Sequence, residues 1–402
     1  MRILIISQYF PPDITAAAFR ICDMAKLLTQ KKHEVCVITA YPHKAQAKNQ
    51  KTDALDLGSI TVCRSRTSKI GSGGLVNYLK HYLSFMFGSI WIGLKWRLHG
   101  WKPDIIWASS PPLFVGLSGL VLSKLFRCPF VLDVRDVWPD SAVSAGQISS
   151  DGLAYRIGKR IEKYIYNYSD YITCVAKPMR EYIAANTQKP ISVVYNGVLE
   201  QNVAPEVKPN ALCKSNGTRT ILYTGNLGRV QQLDLLIHAY AELVEEGYMK
   251  NWNIRFIGAG ALEDNLRELV SKLQLDDNIS IAPPVTREVA LQQSKAADLL
   301  FLSLLPDVVL KMTIPSKVFD YMLAGKPILA GIFGEGKDIL ESTKANVCYN
   351  PGDLQTLKQA LVKATTRHSD LAKLANKNRD LVLSKYTRQM AASMLLDVFN
   401  NL

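Results

Sequence analysis

Short apolar segments alternate with helix-like segments along nearly the whole chain, and no other feature constrains the fold as strongly. In the first half the order is RILIISQYF, TAAAFRICDMAKLLTQ and EVCVITAY, and it repeats in DIIWASSPP, LFVGLSGLVLSKLF and PFVLDVRD. Short apolar strands that alternate with helices indicate a parallel sheet covered on both faces. The chain is therefore predicted to have an α/β fold.

A second alternation starts at TILYTGNLG, after the aperiodic segment 198–219, which contains prolines and mixed charges. That segment is the predicted linker between two Rossmann-like domains. We expect the first domain to span residues 1–200 and the second residues 201–385, with the helix 386–402 packing back on the first. Two parallel sheets that face each other across a cleft would bind a ligand at their carboxyl edges.

The charge of the chain favours an anionic partner. The formal net charge is +13, which suits nucleic acid, a phosphorylated substrate or an acidic membrane surface. No base-stacking motif accompanies the charge, so a nucleic-acid partner is not expected. The seven cysteines form no CxxC pair and the six histidines no HExxH spacing, which argues against disulfides and zinc and favours a reducing cytoplasm.

The stretch PSKVFDYMLAGKP predicts a short helix with sharp ends. Ser316 suits an N-cap and Gly325 a C-cap, and the following ILAGI predicts a strand. The helix N-terminus offers free N–H groups to an anion, with Lys317 beside them, and Asp320 is placed to accept hydrogen bonds from hydroxyls. An ordinary capped surface helix is the alternative.

Two glycine-containing loops follow strands in the same half. In YTGNLGRVQ, Gly225 and Gly228 permit close backbone approach and Arg229 suits a phosphate. FIGAGALED is a second strand-to-helix turn, which contains Gly258. A dinucleotide fingerprint is disfavoured there because Glu263 occupies the place of its third glycine.

Several motifs resemble one known family. QYFPPD, DVRDVWPDS, YNGV, YTGNLG, FIGAG and PSKVFDYMLAGKP occur in that order across nearly the whole chain. They are similar to motifs of the GT-B glycosyltransferases of family 4, in the bacterial O-antigen, capsule and colanic acid branch that includes N-acetyl-L-fucosaminyl transferases. The resemblance implies two Rossmann-like domains, with a nucleotide-sugar on the C-terminal domain and an acceptor on the N-terminal domain.

The resemblance also implies roles for single residues. Asp320 corresponds to the family's ribose-binding glutamate, and Ser316, Lys317 and the helix N-terminus then lie beside the diphosphate. The donor-binding residues predicted in this way are Asn226, Arg229, Gly258, Ser316, Lys317 and Asp320.

The chain departs from the family pattern at several of these positions. Met312 stands where an earlier glutamate is usual, so that sugar contact is absent. Asn226 and Gln231 lie near the place of the usual arginine and lysine of the first donor loop. Arg135 matches a histidine that touches the sugar 6-hydroxyl in many relatives, and its presence here is compatible with a 6-deoxy donor such as a fucose-type sugar.

The N-terminal half supplies the predicted catalytic residues. Asp133, Arg135 and Asp136 follow an apolar strand; a carboxylate there can take a proton from an acceptor hydroxyl, and the arginine can stabilise the leaving phosphate. A structural Arg-Asp pair that fixes the loop is the alternative.

The first loop, PPDITAAAFR, adds a third candidate. Asp13 is the predicted catalytic group there, and the amides of Thr15 and Ala16 precede a helix where relatives have a Gly-Gly pair. No DxD motif stands in the setting of a metal-dependent glycosyltransferase, so neither a metal nor another cofactor is expected, and the nucleotide-sugar is a co-substrate.

Aromatic and basic side chains are interleaved in residues 74–102, among them Lys80, Lys95, Arg97 and Lys102. The segment is too short to span a bilayer but suits a helix in the headgroup layer, and a buried helix is the alternative. The membrane interpretation implies an enzyme bound to the inner face of the cell membrane, which moves a sugar from a UDP-sugar to a polyprenyl-diphosphate-linked acceptor. A UDP-sugar 2-epimerase, which shares the two-domain architecture, is the alternative function.

Overall fold

The computed structural model describes residues 1–13, 15–42, 57–69, 74–200 and 217–402. The chain divides into two compact units, Met1–Asn196 with Arg388–Leu402, and Gly197–Thr387. The division points lie a few residues from the predicted boundaries. Residues 201–216 of the predicted linker lie outside the described residues.

The first unit is built on a parallel sheet. Its strands are β1 (Arg2–Ile6), β2 (Glu34–Ala40), β3 (Thr61–Ser65), β4 (Ile105–Ser110), β5 (Phe130–Val134), β6 (Tyr171–Cys174) and β7 (Ile191–Val193). Their order is β3-β2-β1-β4-β5-β6-β7. Every residue of β4 and β5 is buried, as expected for central strands with helices on both faces.

The helices of the first unit include a long one that carries the aromatic and basic segment. They are α1 (Ala16–Gln30), α2 (Leu75–Leu98), α3 (Phe114–Phe126), α4 (Asp140–Ser144), α5 (Leu153–Tyr168) and α6 (Lys177–Ala184). No helix of the described ranges combines the length and hydropathy that crossing a bilayer requires.

The second unit repeats the architecture. Its strands are β8 (Arg219–Thr224), β9 (Trp252–Ile257), β10 (Ile279–Ala282), β11 (Leu299–Ser303), β12 (Ile328–Gly331) and β13 (Val347–Cys348). Its helices are α7 (Leu233–Glu245), α8 (Glu263–Lys272), α9 (Arg287–Ala296), α10 (Ser316–Ala324), α11 (Glu335–Ser342), α12 (Leu354–Thr366), α13 (His368–Leu374) and α14 (Asn376–Lys385). The strand order is β10-β9-β8-β11-β12-β13.

The prediction of two Rossmann-like parallel sheets is confirmed. In each sheet the strand order reverses once, between β1 and β4 in the first unit and between β8 and β11 in the second. Open α/β sheets bind ligands at such a switch point, outside the carboxyl ends of the strands. The loops after these strands are therefore where a site is expected in each unit.

One further helix, α15 (Arg388–Asn400), follows the second unit in sequence and belongs to the first. It packs against α1, and its buried face includes Leu395 and Leu396. Arg388 is buried at its start, where it pairs with Asp23 of α1 and donates a hydrogen bond to the carbonyl oxygen of Asn196 at 3.3 Å.

Candidate active site

Helix α10 begins and ends sharply, but its start differs from the prediction. Pro315 is the N-cap, with ψ at 132°, and Ser316 is the first helical residue. Ser316 was therefore wrongly predicted as the cap, because the extended backbone before the helix is supplied by the proline. At the other end Gly325 has φ at 67° and forms the predicted left-handed C-cap before β12.

Lys317 lies over the loop that follows β8. A Cβ atom placed on Gly225 would be 2.3 Å from the Lys317 Nζ, and that Nζ is 5.4 Å from the centre of the Tyr223 ring. No carboxylate of the described residues forms an ion pair with this ammonium. Burial lowers the pKa of Lys317, and the charge of Asp320 partly opposes that shift. An anion arriving here would find a cation that is already poorly solvated.

Asp320 is paired with a residue that the sequence analysis did not select. Its Oδ1 accepts a hydrogen bond from Arg287 Nη2 at 3.3 Å. Arg287 opens α9, directly after Thr286, whose Oγ1 caps that helix. A cation in the first turn of a helix opposes the helix dipole, and this unfavourable placement is the one signal in the sequence that could have marked Arg287.

The first glycine loop is braced by its own side chains. Asn226 Nδ2 donates to Gln231 Oε1 at 3.3 Å, and the Gly228 N–H donates to the same oxygen at 3.2 Å. Tyr223 Oη donates to the Asn226 carbonyl oxygen at 2.7 Å. The Asn226 side chain thus stabilises the loop, while Arg229 is exposed at the start of a 3-10 turn. Donor contacts of both residues stay predictions.

The second glycine loop packs directly on the first. A Cβ on Gly258 would lie 1.8 Å from the Gly225 carbonyl oxygen, and one on Gly260 would lie 2.3 Å from that of Leu227. The Leu227 N–H donates to the Ala259 carbonyl oxygen at 3.0 Å. The glycines therefore let two backbones touch. Gly258 is buried in this contact, and its predicted role in donor binding stays a prediction.

A buried tyrosine joins α10 to the sheet. The Thr224 N–H, at the end of β8, donates to Tyr321 Oη at 2.9 Å. Since Tyr321 is the neighbour of Asp320 in α10, this bond fixes Lys317 and Asp320 relative to the first glycine loop. The structure thereby brings together the three segments of the second unit that the sequence analysis selected.

In the first unit, Asp133 has a structural role. It is fully buried, and Arg20 of α1 approaches it with Nη1–Oδ2 at 2.5 Å and Nη2–Oδ1 at 3.3 Å. Ser109 and Thr173 hydroxyls donate to the two oxygens at 2.8 Å each. Both oxygens are thus engaged, so the proton-accepting role considered for Asp133 is wrong. The alternative of a structural Arg-Asp pair holds, but the arginine is Arg20 and not Arg135.

Arg135 and Asp136 lie just beyond β5 and are half-buried. The Arg135 N–H donates to the Ser110 carbonyl oxygen at 3.1 Å, which ties this loop to β4. Burial lowers the pKa of Arg135 to about 10 and raises the pKa of the Asp136 carboxyl. A carboxylate with a raised pKa suits general-base chemistry. The catalytic roles of both residues stay predictions.

The loop after β1 carries the remaining predicted residues. Asp13 is buried, at 1% exposure. Thr15 is the N-cap of α1, and its Oγ1 accepts a hydrogen bond from the Ala18 N–H at 3.1 Å. Ala16 opens the helix and is exposed. Because the Thr15 hydroxyl accepts the cap hydrogen bond, its O–H and the backbone groups of Thr15 and Ala16 are what the predicted acceptor contact can use.

Within the described ranges, no three His, Cys, Asp or Glu side chains lie close enough together to hold a metal ion. The candidate site in the second unit consists of the N-terminus of α10, the Lys317 ammonium and the ion pair of Arg287 with Asp320.

Comparison with known proteins matches both units. Residues 17–200 match the family model described as Glycosyltransferase Family 4, and residues 218–367 match the model described as Glycosyl transferases group 1. A probable glycosyltransferase, WbjE, of Pseudomonas aeruginosa is 24% identical over 84% of this chain and 82% of its own. The putative colanic acid biosynthesis glycosyl transferase WcaI of Escherichia coli is 25% identical over 61% of this chain and 64% of its own.

Solved structures share the fold over the full length. Sucrose-phosphate synthase of Thermosynechococcus elongatus has a TM-score of 0.78 at 13% identity and covers 100% of this chain and 98% of its own. Anabaena HepE in complex with UDP-glucose has a TM-score of 0.72 at 14% identity and covers 100% of both chains. WaaG, a glycosyltransferase involved in lipopolysaccharide biosynthesis, has a TM-score of 0.68 at 14% identity and covers 99% of both.

The parallel sheets, their strand order, the two matched models and the solved neighbours lead to one assignment. The chain is a nucleotide-sugar-dependent glycosyltransferase with the GT-B fold.

Proposed function

We propose that this glycosyltransferase transfers a sugar from a UDP-sugar to a polyprenyl-diphosphate-linked sugar in capsule or O-antigen polysaccharide assembly. One observation carries the donor assignment: half-buried Lys317 lies at the amino end of α10 against the loop after β8, and its ammonium is not ion-paired within the described residues. A helix N-terminus and a lysine together form a binding site for a phosphate.

Further contacts follow from this placement of the diphosphate. Because Gly225 has no side chain, the Lys317 ammonium lies directly against the first glycine loop, where it is placed to meet the phosphates. Asp320, one turn along the same helix, then accepts hydrogen bonds from the ribose, and Arg229 extends the positive surface. HepE has been solved with UDP and with UDP-glucose, which supports uridine as the base here.

The donor sugar is proposed to be N-acetyl-L-fucosamine. The support is the presence of Arg135, and not a histidine, at the place where many relatives touch a 6-hydroxyl that a 6-deoxy sugar lacks. Relatives named for colanic acid and lipopolysaccharide synthesis support a polysaccharide pathway. Asp136 is proposed as the group that takes the acceptor proton, with Arg135 and Asp13 beside the reacting atoms.

The lipid-linked acceptor is supported by the surface of α2. This helix is two-sided: Phe85 and Ser89 are fully buried, whereas Phe87 is 64% exposed and Trp91 is 57% exposed. Lys95 Nζ lies 5.3 Å from the centre of the Trp91 ring. Exposed aromatic rings beside lysines suit the headgroup layer of an anionic membrane. We therefore propose peripheral binding to the inner face of the cell membrane.

The proposal includes a second basic and aromatic contact on α3, which packs against α2, and on α5, which packs against α3. Lys124 of α3 lies 5.4 Å from the ring centre of Tyr168 on α5, and Tyr168 is exposed. The proposed membrane surface therefore includes Phe87, Trp91, Lys95, Lys124 and Tyr168.

Calorimetry with UDP and GDP tests the donor site. We expect wild-type protein to bind UDP and Lys317→Met to bind it about 10- to 100-fold more weakly, since a hydrogen bond to a charged group contributes about 1.5–3 kcal/mol. Lys337→Met is the matched control, because Lys337 lies in the same unit and pairs with Glu341 at 3.7 Å. Equal UDP affinity of the Lys317 and Lys337 variants would contradict the proposed site.

A product assay tests the reaction. UDP-sugars and GDP-sugars are incubated with the protein and a membrane extract, and the lipids are read by mass spectrometry. A glycosylated polyprenyl-diphosphate lipid is the expected product. Conversion of a UDP-sugar into its epimer without any acceptor would instead support the epimerase alternative.

A further inference from the structure

The ion pair between Arg287 and Asp320 joins two helices at the proposed donor site. Arg287 Nη2 lies 3.3 Å from Asp320 Oδ1, and the side chains are 21% and 38% exposed. The arginine opens α9 and the aspartate lies in α10, and these helices pack against each other. A partly buried pair between two packed elements restricts the aspartate more than a pair within one exposed helix would.

Only one carboxylate oxygen is used in this pair. Oδ1 accepts the arginine bond, whereas Oδ2 accepts no hydrogen bond from the described residues. A carboxylate has acceptor capacity on both oxygens, so Oδ2 is available to a donor hydroxyl. The ion pair thus fixes the orientation of the Asp320 carboxylate and leaves Oδ2 able to accept a hydrogen bond from a ligand.

The same pair affects Lys317. Asp320 follows Lys317 by three positions in α10, a spacing at which opposite charges on a helix commonly pair. The charge of Asp320 acts on Lys317, yet no ion pair forms between them. Arg287 holds the carboxylate on the α9 side, which leaves the Lys317 ammonium for an anion.

We propose that Arg287 is a specificity-determining residue: it orients Asp320 so that the donor site selects ribonucleotides over 2′-deoxyribonucleotides, and it keeps Asp320 from neutralising Lys317. This inference rests on the proposed donor site. Without Arg287 the carboxylate is free to turn to Lys317, so both the ribose contact and the phosphate contact are weakened.

The test is calorimetry of UDP and 2′-deoxy-UDP, repeated with GDP and 2′-deoxy-GDP. We expect wild-type protein to prefer the ribonucleotide about tenfold, as for one hydrogen bond to a charged group. Arg287→Met should remove the preference, lower the affinity for the ribonucleotide more than about tenfold, and lower the affinity for the 2′-deoxyribonucleotide as well, because the phosphate contact is also weakened; Arg287→Lys should retain part of the preference. Arg267→Met is the matched control, because Arg267 pairs with Glu263 at 2.9 Å in the same unit, and it should behave as wild type.

A double-mutant cycle shows whether Arg287 acts through Asp320. Asp320→Asn alone should remove the ribose preference, and adding Arg287→Met to it should not lower the affinity for UDP further. An unchanged ribose preference in Arg287→Met, or tighter binding of UDP by that variant, would overturn the inference and leave the donor site standing. Absence of UDP and GDP binding in the wild-type protein would overturn both.

Discussion

The two sheets place their charged groups in opposite ways at the carboxyl ends of their strands. In the first unit, the Asp133 carboxylate is enclosed and receives hydrogen bonds from Arg20, Ser109 and Thr173. In the second unit, the Lys317 ammonium lies over a glycine loop with no ion-paired carboxylate in the described part of the chain. Charges that are satisfied internally hold a fold together, whereas a desolvated charge without a counter-ion needs one from a ligand.

Removing the internal partner in the first unit should produce the largest effect. Arg20→Met leaves the Asp133 carboxylate buried without its cation, so the free energy of unfolding should fall by about 3–5 kcal/mol. Urea denaturation measures the change. Replacing both residues, as Arg20→Met with Asp133→Leu, should recover much of the loss because no buried charge remains.

The control for that experiment is an exposed pair in the same unit. Arg2 and Glu34 are 52% and 53% exposed, and Arg2→Met should change the unfolding free energy by less than about 1 kcal/mol. If Arg20→Met lowered the unfolding free energy as little as Arg2→Met does, the contrast between the internally paired charge of Asp133 and the unpaired charge of Lys317 would not hold.

The outer surfaces of the two units should also differ in how strongly they bind a membrane. Glutamates in place of Phe87 and Trp91 should weaken binding to vesicles that contain phosphatidylglycerol by about 2–3 kcal/mol, because the headgroup layer buries only part of each ring. Co-sedimentation with vesicles measures this loss of binding free energy. Val244→Glu places the same charge on an exposed position of α7 in the second unit and should leave binding unchanged. Equal losses from both changes would contradict a membrane surface on α2.

The smallest expected effect is a pH dependence of UDP affinity at the proposed donor site. Burial lowers the pKa of Lys317 below 10.5, so the ammonium loses its proton earlier than an ordinary lysine. UDP affinity should therefore fall as pH rises toward 10, by less than about tenfold, since one pKa unit corresponds to about 1.4 kcal/mol. Lys317→Met, titrated alongside, reports the changes that belong to the nucleotide, and a parallel decline in both proteins would argue against the shift.

The sign for stability is opposite. Between the lowered pKa and 10.5, the unfolded chain binds more protons at Lys317 than the folded chain does. The free energy of unfolding should therefore rise with pH in that window through this group. The free protein thus gains stability in the same pH range where it loses affinity for UDP. This is expected of a cation whose counter-ion comes from the ligand.

Local patterns predicted the parts of this molecule that depend on neighbouring residues. The alternation of strands and helices, the left-handed cap at Gly325 and the strand after it are confirmed, because each follows from a few adjacent side chains. Ser316 failed as a cap because Pro315 already supplies the extended residue before the helix.

Partners distant in sequence could not be predicted. Asp133 pairs with Arg20, 113 positions away, and Asp320 pairs with Arg287, 33 positions away. Charge and spacing show which residues need a charged partner, but they do not show which distant residue the fold places beside them. The same limit applies to α2, where composition predicted either a membrane helix or a buried one and the packing gives one buried and one exposed face.

The return of α15 to the first unit also affects how the protein is made. Translation produces the seven strands of the first unit, then the whole second unit, and only then the helix that begins at Arg388. A nascent chain on the ribosome therefore exposes the face of α1 that α15 later covers. The first unit is completed only after the second unit has been made, so a truncation before Arg388 should destabilise the first unit although it removes none of that unit's strands.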